Sequence, residues 1–328
     1  MKVAILAGGT SAEREVSLGS GKAVRDALRQ VGHEVEILDP GSGWKIVNPD
    51  NVATRVERTS CGLPGSEGTS VLTSVDVVFN TLHGGQGEDG TVNAVLELLG
   101  VPYTGSQPAA CAEAMDKAVS KMLFSQVGVP TPDYILLDAL RKDLWPAALK
   151  EAADRFGLPL IIKPAEEGST FGLTKAETLE QLHPAAETAA KFSRRVVVEK
   201  FIPGRELTVG ILVDEALPLL EIVVPGGFYD FEAKYRSGDN QYICPADVDP
   251  EIAAKAKQFA LLAFDVLGLL DYSRIDFRLD EQGGLWCLEA NNQPGMTGSS
   301  LFPKGAAAAG INLSALLEKI IASALSRR

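Results

Sequence analysis

The segment 271–295, DYSRIDFRLDEQGGLWCLEANNQPG, carries Asp276, Glu289 and Asn291 on two apolar-rich runs. The runs are parted by DEQGG, a pattern that predicts two strands joined by a turn. Burying a carboxylate without a partner is costly, so these acids require a cation. Oxygen donors from Asp, Glu and Asn suit Mg²⁺ better than zinc. Arg274 lies two residues before Asp276 and shares its face of a strand. On this segment alone, an edge hairpin with a solvated polar face fits as well.

Lysines elsewhere supply the complementary charge. Lys163 ends the apolar run FGLPLIIKP and leads into EEGSTFG, which holds Ser169 and Thr170. A lysine feeding a hydroxyl- and glycine-rich turn between strands makes a clamp for a polyphosphate, because backbone N–H groups can approach closely. A surface hairpin with a snorkelling lysine is the plainer reading, weakened by a second lysine, Lys117, in MDK. Glu199 interrupts the apolar run VVVEKFIP and Glu206 begins ELTVGILV. Such acids could accept from an adenine amino group and from ribose hydroxyls, or sit solvated on a sheet edge. Glu13, within GGTSAEREVSLGSG, and His83, which opens HGGQGEDG, each follow an apolar run. Both therefore fall at the carboxyl ends of strands, where open α/β sheets bind ligands. His83 is a candidate for lining the substrate site, although a lone histidine is more often structural.

The elements that must position these groups follow from periodicity. A strand at 2–7, a helix to about 31, and strands at 33–38 and 75–82 predict a parallel sheet with helices on its faces. The glycine- and serine-rich stretch 56–70 reads as a surface loop or hairpin. A helix covers 91–99, PYTGS links to a second unit, and a single helix is expected over 109–127. Strands follow at 156–164, 173–175 and 196–203, and the polar, aromatic-rich 227–246 reads as a functional loop. Asp249-Pro250 and Asn312 start the last long helices. The expected units are 1–106, 107–195 and 196–328.

The formal charge of −12, from 43 acids against 31 bases, argues against a nucleic-acid surface, which would need clustered cations. An anionic substrate remains compatible where a few lysines gather at one site. Four cysteines without CxxC spacing make structural zinc and a disulfide framework poor expectations and point to reduced thiols. With neither a signal-like start nor a run of ~20 apolar residues, a cytoplasmic protein without membrane contact is expected. A dehydrogenase reading of the first unit fails for want of GxGxxG.

The ordered set GGTSAEREVSLGSG, HGGQGEDG, PYTGS, MDK, IIKPAEEGS, FYDFEAKY, RIDF and EANNQPGMTGSSL resembles the signature of the D-alanine–D-alanine ligases, and spans essentially the whole chain. The resemblance implies a three-domain ATP-grasp fold of α/β and α+β character, in which two lobes hold ATP behind an N-terminal parallel-sheet domain. It implies that Lys117 and Lys163 bind the ATP phosphates under a lid containing Ser169 and Thr170. Glu199 would meet adenine, Glu206 the ribose, and Phe201 and Ile202 would flank the base. Asp276, Glu289 and Asn291 would hold two Mg²⁺ ions, Mn²⁺ being able to substitute. Glu13 would take the ammonium of the first D-alanine with His83 nearby. Arg274 and the Gly295 N–H would face the tetrahedral oxyanion, and Ser300 and the Leu301 N–H would take the second carboxylate. Lys234 would assist the transferring phosphate, and Tyr235 would latch the loop through Ser169 to Glu13. A homodimer is also implied.

The sequence departs from that pattern at Phe231, where the family often has Tyr, and at Asn292-Gln293. Tyr235 favours an amine acceptor, because related ligases accepting D-lactate lack it. The implied reaction joins two D-alanines for peptidoglycan precursor synthesis. D-serine, D-lactate or another amino acid as acceptor is the alternative, and a nucleotide-binding protein without catalysis is the reading from another class.

Overall fold

The computed structural model describes residues 1–57, 59–168, 171–224 and 240–327. Ser169, Thr170, Phe231, Lys234 and Tyr235 lie outside the described residues. The first unit places β1 (Lys2–Leu6) between β2 (Glu34–Asp39) and β4 (Val77–Asn80), both parallel to it, with β3 (Lys45–Ile46) antiparallel at the edge. Helices α1 (Arg14–Gln30), α2 (Ser66–Ser74) and α3 (Thr91–Leu99) complete it. Helix α2 falls partly inside the stretch expected to be loop. Its buried Gly68 and Leu72 face Trp44 and the sheet, so packing overrides the weak helical signal of GSEGTS.

The single helix expected over 109–127 is two, α4 (Pro108–Met115) and α5 (Lys117–Gln126). Asp116 breaks the run: its extended backbone leaves the first helix, and its carboxylate accepts from the N–H groups of Ala118 and Val119, capping the second. A middle sheet then forms in the order β5 (Tyr134–Asp138), β8 (Arg195–Lys200), β6 (Leu160–Pro164), β7 (Thr174–Ala176). All its pairings are antiparallel, and α6 (Trp145–Phe156) and α7 (Leu179–Ala189) cover it. Strand β6 is shorter than expected because 156 still belongs to α6.

The third sheet is ordered β12 (Gln241–Ile243), β11 (Leu220–Val223), β9 (Arg205–Leu212), β13 (Tyr272–Leu279), β14 (Leu285–Asn291), with β10 (Glu215–Ala216) also on β9. Helix α8 (Pro250–Val266) packs on it, capped by Asp249 as its sequence indicates. Helices α9 (Leu301–Ala308) and α10 (Leu313–Ser326) close the chain. Strand β8 extends the middle sheet to Lys200, while α4 and α5 pack on the third sheet. Among the described residues no single helix is long and apolar enough to cross a membrane.

Candidate active site

The strand pair that carries the acids closes one edge of the third sheet, with β14 outermost, but its polar face is turned into a cleft and not into bulk solvent. Along β13, Ile275, Phe277 and Leu279 enter the core, which sends Arg274, Asp276 and Arg278 to the opposite face. On β14, Leu285 and Cys287 are also core, so strict alternation would bury Glu289 and Asn291 as well. A bulge prevents this. Phe277 pairs with Cys287 but Asp276 pairs with Glu289, leaving Leu288 as the extra residue. Ala290 then takes the core position, and Leu288 and Glu289 both line the cleft between the middle and third sheets.

Asp276 is almost buried and fully engaged. Arg274 donates to both its oxygens at 2.9 Å, Thr208 of β9 donates at 2.6 Å, and Asn291 Nδ2 at 2.9 Å. Lys117 Nζ lies 3.3 Å from Glu289 and donates to the Glu167 carbonyl at 2.7 Å. Helix α5 thereby aims its first residue at the acids of the third sheet. Asp116 holds that helix start from behind, paired with Arg195, which also reaches Glu166 at 2.6 Å.

Facing these groups, Lys163 on β6 donates to Glu199 Oε1 of β8 at 2.6 Å. Lys121 Nζ lies 2.9 Å from the other oxygen, Oε2, an ion pair outside hydrogen-bonding geometry, so Oε2 makes no hydrogen bond. Burial alone would push the Glu199 carboxyl up, but the two ammonium groups outweigh it and hold the acid below its ordinary range. Phe201, Ile202, Glu206 and Arg278 continue the cleft wall, and Arg278 spans from Glu206 at 3.2 Å to the carbonyls of Ile202 and Gly204. The cleft, about 820 Å³ with its open mouth, thus has one acid-and-lysine end and one largely apolar end.

A second group adjoins it. Glu13 stands between Gly84 and Gly168, and a Cβ at either glycine would meet its Oε2 at 2.9 or 3.1 Å. His83 is buried, with Nε2 3.1 Å from Ser20 Oγ and Nδ1 3.4 Å from Glu88. Burial pushes its imidazole down, but Glu88 and Glu13 overcome this and raise it. Burial, with the charge of Glu13, in turn pushes the Glu88 carboxyl up. A pocket in which burial and a neighbouring acid push a carboxyl up has room for a further cation, which suits a substrate ammonium. The Gly295 turn reaches the same place: Met296 N donates to Ser20 Oγ at 3.3 Å, and Asn292 donates to the Glu88 carbonyl at 2.8 Å. A side chain at Gly295 would collide with Ser300 Oγ at 2.7 Å. Ser300 accepts from Thr297 N at 3.1 Å and stands immediately before α9, whose first residue is Leu301. Because Gly168 follows the residue that Lys117 binds, the two groups form one continuous site.

Comparison with known proteins identifies the family of the chain. Residues 2–106 match the family model described as D-ala D-ala ligase N-terminus, and residues 123–322 the D-ala D-ala ligase C-terminus. The D-alanine–D-alanine ligase of Bordetella petrii is 44% identical over 327 residues, covering 98% of this chain and 92% of its own. The chain belongs to the D-alanine–D-alanine ligase family. Its relative from a Synechococcus species is 39% identical, covering 100% of this chain and 94% of that one. Two solved structures resemble this ATP-grasp chain closely. The Bacillus anthracis ligase complexed with ATP has a TM-score of 0.81 at 30% identity, covering 100% of this chain and 97% of its own. The VanG D-Ala:D-Ser ligase from Enterococcus faecalis has 0.83 at 29%, covering 98% and 99%.

Within this ligase, the cleft gathers Lys117, Lys163, Glu199, Phe201, Ile202, Glu206, Asp276 and Glu289, with Asn291 bound to Asp276. Glu13, His83 and the Gly295–Ser300 turn form the adjoining pocket. Sequence reasoning missed Thr208, Arg278, Ser20 and Lys121 as site residues. Two of these were accessible: Arg278 lies two strand positions from Asp276, and Lys121 one helical turn from Lys117. Thr208 and Ser20 gain their roles only through tertiary pairing. The unusual pair Asn292-Gln293 is structural here, since Gln293 accepts from Tyr272 OH at 3.2 Å while Asn292 ties β14 to the Glu88 loop.

Proposed function

We propose that this ligase joins two D-alanines at the expense of ATP, forming ADP, phosphate and D-alanyl-D-alanine for peptidoglycan precursor. One observation carries the reading: two lysines and two acids from different lobes converge on a cleft continuous with the acid-rich pocket at Glu13. A nucleotide-binding protein without catalysis would have no need of that pocket. Adenine fits against Phe201 and Ile202, with Glu199 on the same cleft wall to meet its exocyclic amine. Glu206 would meet the ribose, and Lys117 and Lys163 the phosphates.

Asp276, Glu289 and Asn291 supply a hard oxygen set, suited to Mg²⁺ or Mn²⁺ with phosphate oxygens completing the shell. Among the described residues no three His, Cys, Asp or Glu side chains cluster for a metal. Two ions bound there would neutralise charge on the phosphates during transfer. The chain's own residues do the rest. Glu13 holds the ammonium of the first D-alanine, with its carboxylate directed to the cleft. Phosphorylation turns that carboxylate into an acyl phosphate, and the amine of the second D-alanine displaces phosphate. Arg274 and the Gly295 N–H stabilise the oxyanion, while Ser300 and the Leu301 N–H hold the acceptor's carboxylate. Lys234 is proposed to assist the transferring phosphate, and Ser169, Thr170 and Tyr235 to serve closure, since exposure to water would hydrolyse the acyl phosphate.

Functionally, the N-terminal domain is 1–106, and the remainder supplies the two ATP-grasp lobes. A cytoplasmic homodimer is part of the same reading. The likeness to a D-Ala:D-Ser ligase gives a second acceptor to be tested. Incubation with ATP, Mg²⁺ and a panel of D-alanine, D-serine and D-lactate, with products weighed by mass spectrometry, is expected to yield D-alanyl-D-alanine as the main product. Turnover with another acceptor and none with D-alanine would overturn the substrate assignment.

A further inference from the structure

Lys121 is wholly buried and does not line the cleft, yet its ammonium sits against the one carboxylate that also holds Lys163. Three charges therefore share the base of the cleft, one from α5, one from β6 and one from β8. Lys163 Nζ is on Glu199 Oε1 at 2.6 Å, Lys121 Nζ near Oε2 at 2.9 Å. Lys121 is itself fixed by Thr131 Oγ1 at 2.6 Å, and Thr131 donates to the Cys287 carbonyl of β14 at 2.9 Å. This anchor keeps Lys121 in place whatever occupies the cleft.

We infer that Lys121 is a charge-balancing residue that releases Lys163 from Glu199 to the nucleotide's phosphates. The inference rests on the reading of the cleft as an ATP site. With Lys163 as its sole partner, Glu199 would form a closed neutral pair. Drawing Lys163 to a phosphate would then leave a buried carboxylate uncompensated, a costly state. Lys121 carries the compensating charge, so the trio keeps a net positive charge and Lys163 can exchange partners. Lys121 acts through Lys163 and Glu199 without touching the nucleotide; it is a positioning residue.

The test separates the two halves of the ligand. Affinities for Mg²⁺-tripolyphosphate, adenosine and MgATP are measured by calorimetry on the full chain and on Lys121→Met. Loss of charge balance is expected to weaken tripolyphosphate and ATP alike by about tenfold or more, about 1.4 kcal/mol per decade. Adenosine is expected to change little, and the KM for ATP to rise with kcat nearly unchanged. The double variant Lys121→Met/Glu199→Gln is expected to regain tripolyphosphate affinity, because nothing then retains Lys163. A merely structural role would weaken adenosine binding and spare tripolyphosphate, which would overturn the inference. If Lys121→Met does not fold, Glu199→Gln alone decides: tripolyphosphate affinity equal to or above the parent supports the inference, and a lower affinity overturns it. A parent chain that binds no ATP would instead defeat the reading of the cleft.

Discussion

Single side chains in this ligase are held by paired charge rather than by burial alone, and Asp39 shows the consequence. It is wholly buried at the end of β2, where Arg14 binds it and both Gly9 N–H and Gly41 N–H donate to it at 3.0 and 2.8 Å. Arg14 also donates to the Gly9 carbonyl at 2.7 Å, so the pair fixes the loop that leads to Glu13. Burial pushes the Asp39 carboxyl up, but Arg14, Ser42 and the Gly9 N–H together hold it below its ordinary 3.8. The folded value is depressed, so the stabilisation is present above pH 3.8 and is lost as pH falls through the folded value. Asp39→Asn strands a buried guanidinium and is expected to cost roughly 3 kcal/mol at neutral pH. Urea unfolding followed from pH 6 down to about 2 should show the parent losing more stability than the variant below pH 3.8. Parallel curves would show that the pair carries no such linkage.

At the scale of elements, what was legible in the sequence was whatever local pattern decides. Apolar runs gave the strands at β1, β4, β9, β13 and β14, and Asp249-Pro250 gave the start of α8. Asp116 was hidden because a cap inside a helical period looks like one more polar position, with no Gly or Pro to mark the break. The membership of β8 in the middle sheet was hidden because it depends on pairing with β5 and β6 from distant sequence. The bulge at Leu288 is the most consequential of these. Period-two alternation read from Leu285 onward would place Glu289 on the core side, so the pattern gave the right acids without the device that exposes them. Deleting Leu288 restores regular pairing and is expected to keep Glu289 and Asn291 on the cleft face, because Cys287 and Glu289 then alternate directly. Leu288→Ala keeps the extra residue and loses only packing. A thermal shift with Mg²⁺ and ATP should therefore survive both in Leu288→Ala and in the deletion. Loss of the shift in the deletion alone would show that the acids need the bulge itself and not only the face they occupy.

Across the whole molecule, two bodies emerge from three sheets. One apolar cluster joins the first and third sheets, uniting Val3, Ile5, Val77 and Phe79 with Tyr272, Phe302 and the inner face of α10. Polar ties reinforce it: Gly105 N donates to Asp271 at 2.8 Å, and Arg327 reaches Asp271 and the Tyr103 carbonyl at 2.8 Å each. The middle sheet has a separate core, drawn wholly from 135–198. It meets the rest through Lys163, Glu199, Lys121 and the Asp116–Arg195 pair, and through a small apolar cluster of Ala118, Ala165 and Val197. A core that is not shared can melt by itself, so unfolding without nucleotide is expected to show two transitions, the middle lobe first. Binding across the cleft couples the bodies, and MgATP at about 100 times its dissociation constant would add about 2.7 kcal/mol to the native state. The lower transition should therefore rise and merge with the upper one. Calorimetry with and without MgATP measures this directly, and Trp145, buried in the middle core, reports that lobe's unfolding by fluorescence. A single transition in both conditions would mean that the middle lobe's stability is already borrowed from its neighbours, making the charged contacts of the cleft stronger than their number suggests.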